Sequence, residues 1–247
     1  MQQVNLNEVK KSFNRAAITY SNHNSIQQLA LEYLTRELLN ARSNFSVVSD
    51  FACGVGLSTQ YLYDHILPDE CYAIDIADCA LKLASKHLCS YQVKFIEADY
   101  NKSILTDGLL DLAFCNMGFQ WSSDFALTLK TMHYQLSDKG ILAFSIPLLG
   151  TFSYLNQCNS LSFLALKVVL EMLKSAGFSI LSYEQFYKLY SFNTPLAALQ
   201  TLKGIGANIS QKKTISGLMT LKSLNDYFKY ANQYILDYRI GLFIARK

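Results

Sequence analysis

At 247 residues, 51% hydrophobic and 17% charged, the chain has enough apolar side chain for a substantial core and lacks the composition of a disordered or low-complexity polymer. Its net charge of +3 hides an acidic centre between basic flanks: residues 1–42 sum to +2, residues 43–150 to −6 and residues 151–247 to +7. That pattern has none of the basic runs with interleaved aromatics of a nucleic-acid binder, so no nucleic-acid partner is expected; it fits either an ordinary solvated surface or flanks that meet an acidic partner around a centre that holds a cation.

In chain order, residues 8–39 carry apolar side chains at helical spacing (Ile26, Leu29, Ala30, Tyr33, Leu34, Leu38), which predicts one or two amphipathic helices. From Phe45 short β-rich runs alternate with helical stretches. Predicted strands are 47–51, 71–75, 93–98, 109–115 and 141–147, with helices near 57–66, 78–89 and 123–136 between them. Near-continuous apolarity in several strands points to a sheet covered on both faces, and the alternation implies right-handed parallel crossovers. Beyond Gly150 the pattern predicts a helix at about 160–175, a strand from Phe178 to Phe192, a helix from Pro195 to Leu202, a helix near 218–233 and a last strand from Tyr238 to Ala245. The reading is one α/β Rossmann-like domain over 1–247: lid helices in 1–42, a nucleotide-binding core in 43–147, and further lid segments with the final strands in 148–247.

No apolar run reaches the ~18 residues that span a bilayer: the most hydrophobic, Ile141 to Leu149, is broken by Ser145 and Pro147. The polar opening lacks the apolar centre and cleavage site of a secretory signal, so a cytoplasmic protein without a membrane partner is expected. The six cysteines (53, 71, 79, 89, 115, 158) contain no C-x-x-C pair and read as small buried hydrophobes of a reducing compartment. The four histidines (23, 65, 87, 133) have no ligand spacing, and no metal is expected.

The first strand runs into Asp50-Phe51-Ala52-Cys53-Gly54-Val55-Gly56, with a helix from about Leu57. Glycines in such a turn let a ligand approach the backbone where open α/β sheets bind nucleotides. Nineteen residues after Gly56 the second strand ends at Asp75, placed to accept from ribose hydroxyls. A dinucleotide site wants a third small residue where this chain has Thr59, and Asp50 would repel a diphosphate. A cationic ligand without phosphate, such as S-adenosylmethionine, removes that conflict. Asp99, after the third strand, could accept from an adenine amino group. The fourth strand leads into Asn116-Met117-Gly118-Phe119-Gln120-Trp121, which lacks the N-P-P-Y of many amino-group methyltransferases. A carboxylate acceptor needs no such motif, being already ionised near pH 7; methyl transfer to it requires positioning and removal of water, without a general base.

The D-x-A-C-G-x-G turn, Ala73-Ile74-Asp75, Glu97-Ala98-Asp99-Tyr100 and N-M-x-x-Q-W together resemble class I S-adenosylmethionine-dependent methyltransferases. More narrowly, Phe13-Asn14-Arg15-Ala16-Ala17 with Tyr20, Asn116 to Trp121, and Leu202-Lys203-Gly204-Ile205-Gly206-Ala207 resemble the malonyl-acyl-carrier-protein O-methyltransferases of bacterial biotin synthesis. The resemblance implies a mostly parallel seven-stranded sheet whose last strand is antiparallel, with a helical lid. It implies methylation of the free carboxylate of a malonyl thioester carried on the phosphopantetheine of an acyl carrier protein, giving a methyl ester and S-adenosylhomocysteine. Asp50, Ala52, Gly54, Gly56, Asp75, Ile76, Asp99, Tyr100, Asn116 and Met117 would then border the cofactor. Tyr20 and Gln120 would act at the reacting centre, and Arg15, Trp121 and Lys203 toward substrate or partner. Simpler roles remain for three of these: helix packing for Tyr20, lid packing for Trp121, and a solvated helix-end lysine for Lys203. Ala52 stands where the family usually has glycine, and the stretch Leu148 to Thr151 offers no arginine to pair a malonyl carboxylate. Other readings are methylation of another small acid or of a quinone-type carbon, a non-catalytic assembly factor, and NAD-linked reduction, which Thr59 and Asp50 disfavour.

Overall fold

Two helices lead into the sheet. Helix α1 (Leu6–Ala16) is capped by the Asn5 side chain, which accepts from the Asn7 N–H, and α2 (Ser25–Ala41) follows a 3-10 turn at Tyr20–Asn22. The computed structural model describes residues 5–101, 109–156, 163–206, 225–230 and 233–247. Strand β1 (Val47–Phe51) is followed by α3 (Leu57–Ile66), β2 (Glu70–Asp75), α4 (Asp78–His87), β3 (Val93–Glu97) and β4 (Leu110–Asn116). Then come α5 (Phe125–Gln135), β5 (Leu136–Pro147), α6 (Leu166–Ser175), β6 (Ser179–Phe192), α7 (Pro195–Gly204) and β7 (Tyr234–Arg246). The seven strands form one sheet in the order β3-β2-β1-β4-β5-β7-β6. All neighbours from β3 to β5 are parallel, and β7 runs antiparallel to both β5 and β6.

The β5 residues explain why apolar runs appear where a half-exposed strand would alternate. Ile141 and Ala143 enter a core shared with Ile26, Leu34 and Leu38 of α2, whereas Leu142, Phe144 and Ile146 enter one shared with Phe125, Leu129 and Met132 of α5. Successive side chains point to opposite faces, and both faces are covered. Phe144, fully buried, stacks on Phe243 of β7 at 4.8 Å between centroids. Burying each such ring contributes roughly 1.5–3 kcal/mol. Asp124 and Thr194 cap α5 and α7 by accepting from Leu127 and Ala197 N–H.

The fold is that expected from the sequence; the differences lie at element ends and at Cys79 and Cys89, which are exposed in the first turn of α4 and just beyond its end, whereas Cys53, Cys71 and Cys115 are buried as expected. Helix α6 begins at Leu166, β5 at Leu136 and β7 at Tyr234. Apolar periodicity marks where a strand enters the core, and ladder pairing with β4 and β6 continues it past that point. Most of the expected helix near 218–233, like Cys158 and Ala207, lies outside the described residues; within 225–230 the chain makes turns and an isolated bridge from Phe228 to Leu155. No helix among the described residues is long and apolar enough to cross a membrane.

Candidate functional site

The strand order reverses between β1 and β4, so the crevice at their carboxyl ends is where a ligand fits in an open α/β sheet. A cleft of ≈ 710 Å³ opens there. Its floor comes from strand ends: Ala52, Gly54 and Val55 after β1, Asp75 at the end of β2 with Ile76 after it, Asp99, Tyr100 and Asn101 after β3, and Asn116, Met117 and Gly118 from β4 onward. Its roof is α1 with the 3-10 turn, through Leu6, Val9, Phe13, Ala17 and Tyr20, and Trp121 closes one side.

The turn after β1 is held from beneath by two carboxylates. Asp75 accepts from Gly54 N–H through Oδ2 and from Ala77 N–H through Oδ1, both at 2.7 Å. The Ile76 N–H is a third backbone partner of this carboxylate, and its remaining acceptor capacity is what a ligand hydroxyl would use. Burial raises the Asp75 pKa, against the backbone N–H bonds that lower it. Asp50 has no exposed surface and does not line the cleft: its Oδ2 accepts from the hydroxyls of Ser58 (2.6 Å) and Thr59 (2.7 Å), and its Oδ1 is buried without a partner. Burial, with a contribution from the Asp75 charge, pushes the Asp50 carboxyl up to about 7. Thr59, the residue that breaks the dinucleotide pattern, thus ties the first turn of α3 to the end of β1.

The glycines divide in role. A Cβ on Gly54 would meet nothing within 4 Å, leaving that backbone open to the cleft, whereas one on Gly56 would stand 3.0 Å from Ala84 Cβ. Gly56 is therefore a packing glycine between α3 and α4, away from the cleft. Ala52 adopts a left-handed φ of 59°, and Met117 one of 55°. Such residues cost about 1–2 kcal/mol each and cluster at functional sites. Gly118 answers Ala52, since a Cβ there would lie 2.6 Å from both Ala52 Cβ and Cys115 Sγ. Met117 is held by its N–H, which donates to Ser145 Oγ (2.9 Å), while Ser145 Oγ donates to Asn116 Oδ1 (2.7 Å).

A second pocket of ≈ 470 Å³ adjoins the cleft and shares Phe13, Tyr20, Met117 and Trp121 with it. Gln27, Gln120, Pro147, Thr151, Phe152, Phe163, Ile205 and Tyr238 complete its described lining. Trp121, 6% exposed, meets Phe13 edge-on at 5.5 Å. Gln120 donates from Nε2 to Met117 O at 2.6 Å. Tyr20 stands between the two pockets, its pKa raised by burial and by the Asp75 and Asp50 charges, so its hydroxyl keeps its proton.

Ala52, Gly54, Asp75, Ile76, Asp99, Tyr100, Asn116, Met117, Tyr20, Gln120 and Trp121 thus come together at these two pockets; Asp50, Gly56, Arg15 and Lys203 do not line them. Arg15 and Lys203 point to solvent. Arg15 sits exposed on an amphipathic helix whose buried residues are Val9 and Ala16. In the L-K-G-I-G segment the neighbours of the lysine do the packing: a Cβ on Gly204 would strike the His23 ring and one on Gly206 the Phe13 ring, while Ser12 Oγ donates to Gly206 O at 3.0 Å. The two segments that carry the narrower resemblance pack against each other. Asn14 and Lys10 bind α1 down: Asn14 Nδ2 donates to Asp78 Oδ1 (2.9 Å) and Lys10 pairs with Glu97 (2.6 Å) and Asp78 (3.4 Å). The Asn14 hydrogen bond, then Lys82 and Lys10, hold the Asp78 carboxyl down at about 2.

Sequence reasoning missed Asn101 and Gln27. Asn101 lines the cleft while its Oδ1 accepts from Ser122 (2.7 Å) and Thr128 (2.8 Å); nothing in its local sequence separates it from a loop asparagine. Gln27 carried a signal, a polar residue beside the apolar stripe Ile26, Ala30, Leu34 of α2.

Residues 49–144 match the family model described as "Methyltransferase domain". The chain is 38% identical to malonyl-acyl-carrier-protein O-methyltransferase 2 of Coxiella burnetii, over 97% of this chain and 95% of that protein. It is 29% identical to the malonyl-acyl-carrier-protein O-methyltransferase of Pseudescherichia vulneris, over 84% and 82%. Among solved structures, an S-adenosylmethionine-dependent methyltransferase from Mesorhizobium loti shares the fold at a TM-score of 0.59 and 17% identity, covering 90% of this chain and 100% of that one. The N-methyltransferase NodS of Bradyrhizobium japonicum, solved with S-adenosyl-L-homocysteine, does so at 0.57 and 15%, covering 89% and 86%. With a crevice built from the ends of β1, β2 and β4 and a relative this similar over nearly its whole length, the chain belongs to the malonyl-acyl-carrier-protein O-methyltransferase family.

Proposed function

We propose that the protein methylates the free carboxylate of a malonyl thioester carried by an acyl carrier protein, with S-adenosylmethionine as methyl donor. The observation that carries this reading is the pairing of a carboxylate-lined cleft with an adjoining pocket whose described lining is uncharged, in a chain 38% identical to a named malonyl-acyl-carrier-protein O-methyltransferase. The cleft residues fit the donor. Asp75 and Asp99 are the described charged residues lining it, both acidic, and the open backbone at Gly54 leaves room for close approach. In this reading Asp75, with Ile76, takes the ribose, Asp99 and Tyr100 border the adenine, and Ala52, Gly54, Asn116 and Met117 border the methionine portion. Asp50 supports the turn from below. Bound there, S-adenosylmethionine supplies an electrophilic methyl whose transfer to a carboxylate oxygen leaves a neutral ester and a neutral thioether, with no proton to remove.

The chain's own contribution is positioning and exclusion of water. Tyr20 and Met117 stand at the junction, Trp121 and Phe13 close the wall, and neither pocket has a histidine or cysteine among its described lining residues to act as a base. Holding the reacting atoms in line, in an apolar enclosure, accounts for such a rate enhancement without proton transfer. The basic flanks, with Lys11, Arg15 and Lys203 exposed, suit an acidic carrier, and 1–42 with the segments after β5 form the lid. The test is the mass of malonyl-carrier protein after incubation with enzyme and S-adenosylmethionine: a gain of one methylene on the malonyl group is expected, and an unmodified carrier at full enzyme occupancy with donor overturns the reading.

A further inference from the structure

The second pocket presents an anion-binding problem. None of the five arginines lines it, and no described lining residue carries a charge. Arg36 pairs with Glu37 and Glu184, Arg42 with Asp111, and Arg15 points to solvent. Yet the pocket contains a polar side chain with unused capacity. Gln27 is 8% exposed, lines the pocket, and its Oε1 is buried without a partner. Its main chain is fixed, because its carbonyl accepts from Asn116 Nδ2 at 2.9 Å.

Gln27 belongs to the first turn of α2, a helix of 17 residues whose N-cap Asn24 makes no side-chain capping bond. The first-turn N–H groups of such a helix give it roughly half a positive charge at this end. Gln120, whose Oε1 is also buried and unpartnered, is held in one sense: its Nε2 donates to Met117 O, which leaves the oxygen, an acceptor only, as the free end of its amide. Gln27 has no such lock, and a half-turn of its carboxamide presents the N–H₂ end.

Resting on the reading of the acceptor as a malonyl carboxylate, we propose that the Gln27 carboxamide, in the first turn of α2 and in the pocket that Tyr20 also lines, anchors that carboxylate by donating to it, in place of an arginine. An uncharged anchor suits the reaction. A guanidinium would stabilise the ground-state anion and lose that interaction as the ester forms, whereas neutral donors fix direction while leaving the nucleophile its charge.

Two variants separate donor from acceptor. Gln27→Leu removes both ends of the amide and should raise KM for malonyl thioester about 10- to 100-fold, the loss of a hydrogen bond to a charged group, with S-adenosylmethionine affinity unchanged because Gln27 does not line the cofactor cleft. Gln27→Glu keeps an acceptor and, when ionised, opposes the substrate charge. It should be worse than Gln27→Leu at pH 8 and recover as the pH falls and the glutamate protonates. A Gln27→Glu enzyme with wild-type KM at pH 8, or a Gln27→Leu enzyme with unchanged KM, overturns the assignment. A wild-type measurement covers variants that fold poorly: with S-adenosylhomocysteine in the cleft, and hence no sulfonium, the neutral malonamoyl thioester should bind with Kd within about tenfold of malonyl thioester, since an uncharged anchor discriminates weakly between them, and absence of malonamoyl binding refutes the anchor. Wild-type enzyme that methylates no malonyl thioester would retire the functional reading; normal wild-type turnover with indifferent Gln27 variants retires the anchor alone.

Discussion

Gly204→Ala tests whether the L-K-G-I-G segment closes the acceptor pocket or serves only as a solvated helix end. The added methyl would strike Cδ2 and Cγ of His23, ring atoms near the main chain that cannot swing clear as a flexible tip could. His23 follows directly on the 3-10 turn that begins at Tyr20, and Ile205, next to Gly204, lines the acceptor pocket. Overpacking of this kind costs typically 1–3 kcal/mol. If it appears as displacement of α7 from the N-terminal helices, KM for the acceptor rises roughly 5- to 150-fold. The affinity for S-adenosylmethionine should change little, because no residue of α7 lines the cofactor cleft. Calorimetry with the donor, steady-state kinetics with the acceptor and a melting curve give the three numbers. His23→Ala in the same chain removes the obstructing ring and should restore the acceptor KM, a coupling of about 0.5–3 kcal/mol between neighbours. Wild-type kinetics and melting in Gly204→Ala, or failure of His23→Ala to rescue it, would refute the argument.

Asp75→Ala should weaken S-adenosylmethionine binding by roughly 10- to 150-fold, the loss of charge-assisted bonds worth about 1.5–3 kcal/mol; unchanged affinity by calorimetry in a folded variant removes Asp75 from the ribose position. The Asp50 carboxyl titrates at about 7 in the fold and near 4 in an unfolded chain, so the fold holds the proton more tightly. Its contribution is therefore greatest below pH 4 and is lost as the pH rises from about 4 to 7, by at most about 4 kcal/mol. Asp50→Asn should flatten that decline in denaturation series across the range, and an unaltered slope would show that Asp50 is not its source. Ala52→Gly relieves a left-handed alanine and, after the added chain entropy of glycine, should raise Tm by about 2 °C; a lower Tm contradicts the strain argument. Reversing the charges of Lys11, Arg15 and Lys203 together should raise KM for carrier-bound malonate and spare a small malonyl thioester, with the difference shrinking in salt; equal effects on both substrates count against carrier docking there. Lys10 is left out because it already pairs with Glu97 and Asp78.

How far the sequence could be read depended on the range of the interaction. The strands from β1 to β5 were legible because a sheet covered on both faces imposes apolar runs, and the β1 turn because Asp50, Gly54 and Gly56 lie within one short segment. Identical spacing hid different jobs. Gly54 is open to the ligand cleft while Gly56 packs on Ala84, a difference set by a helix some thirty residues away. Likewise, Lys203 and Arg15 lie in telling segments for the sake of their neighbours: Gly204 and Gly206 need contact with His23 and Phe13, and Asn14 needs Asp78. A motif read along the chain cannot say which of its residues face inward until the partner element is known.

The placement of charge ties the two pockets to the proposed chemistry. Asp75 and Asp99 border the cleft, so the field there favours a cation, while the adjoining pocket offers dipoles alone among its described lining residues. A sulfonium in the first is then the principal counter-charge for a carboxylate in the second. Desolvated opposite charges attract strongly at short range in such surroundings, which draws the acceptor oxygen toward the methyl, and transfer abolishes both charges at once. A lysine or arginine in the acceptor pocket would compete for the same oxygen. Met117 and Ala52, both in left-handed conformations at the boundary, are where backbone strain is accepted to keep that boundary open: Met117 borders both pockets, and Gly118 leaves the space that Ala52 requires.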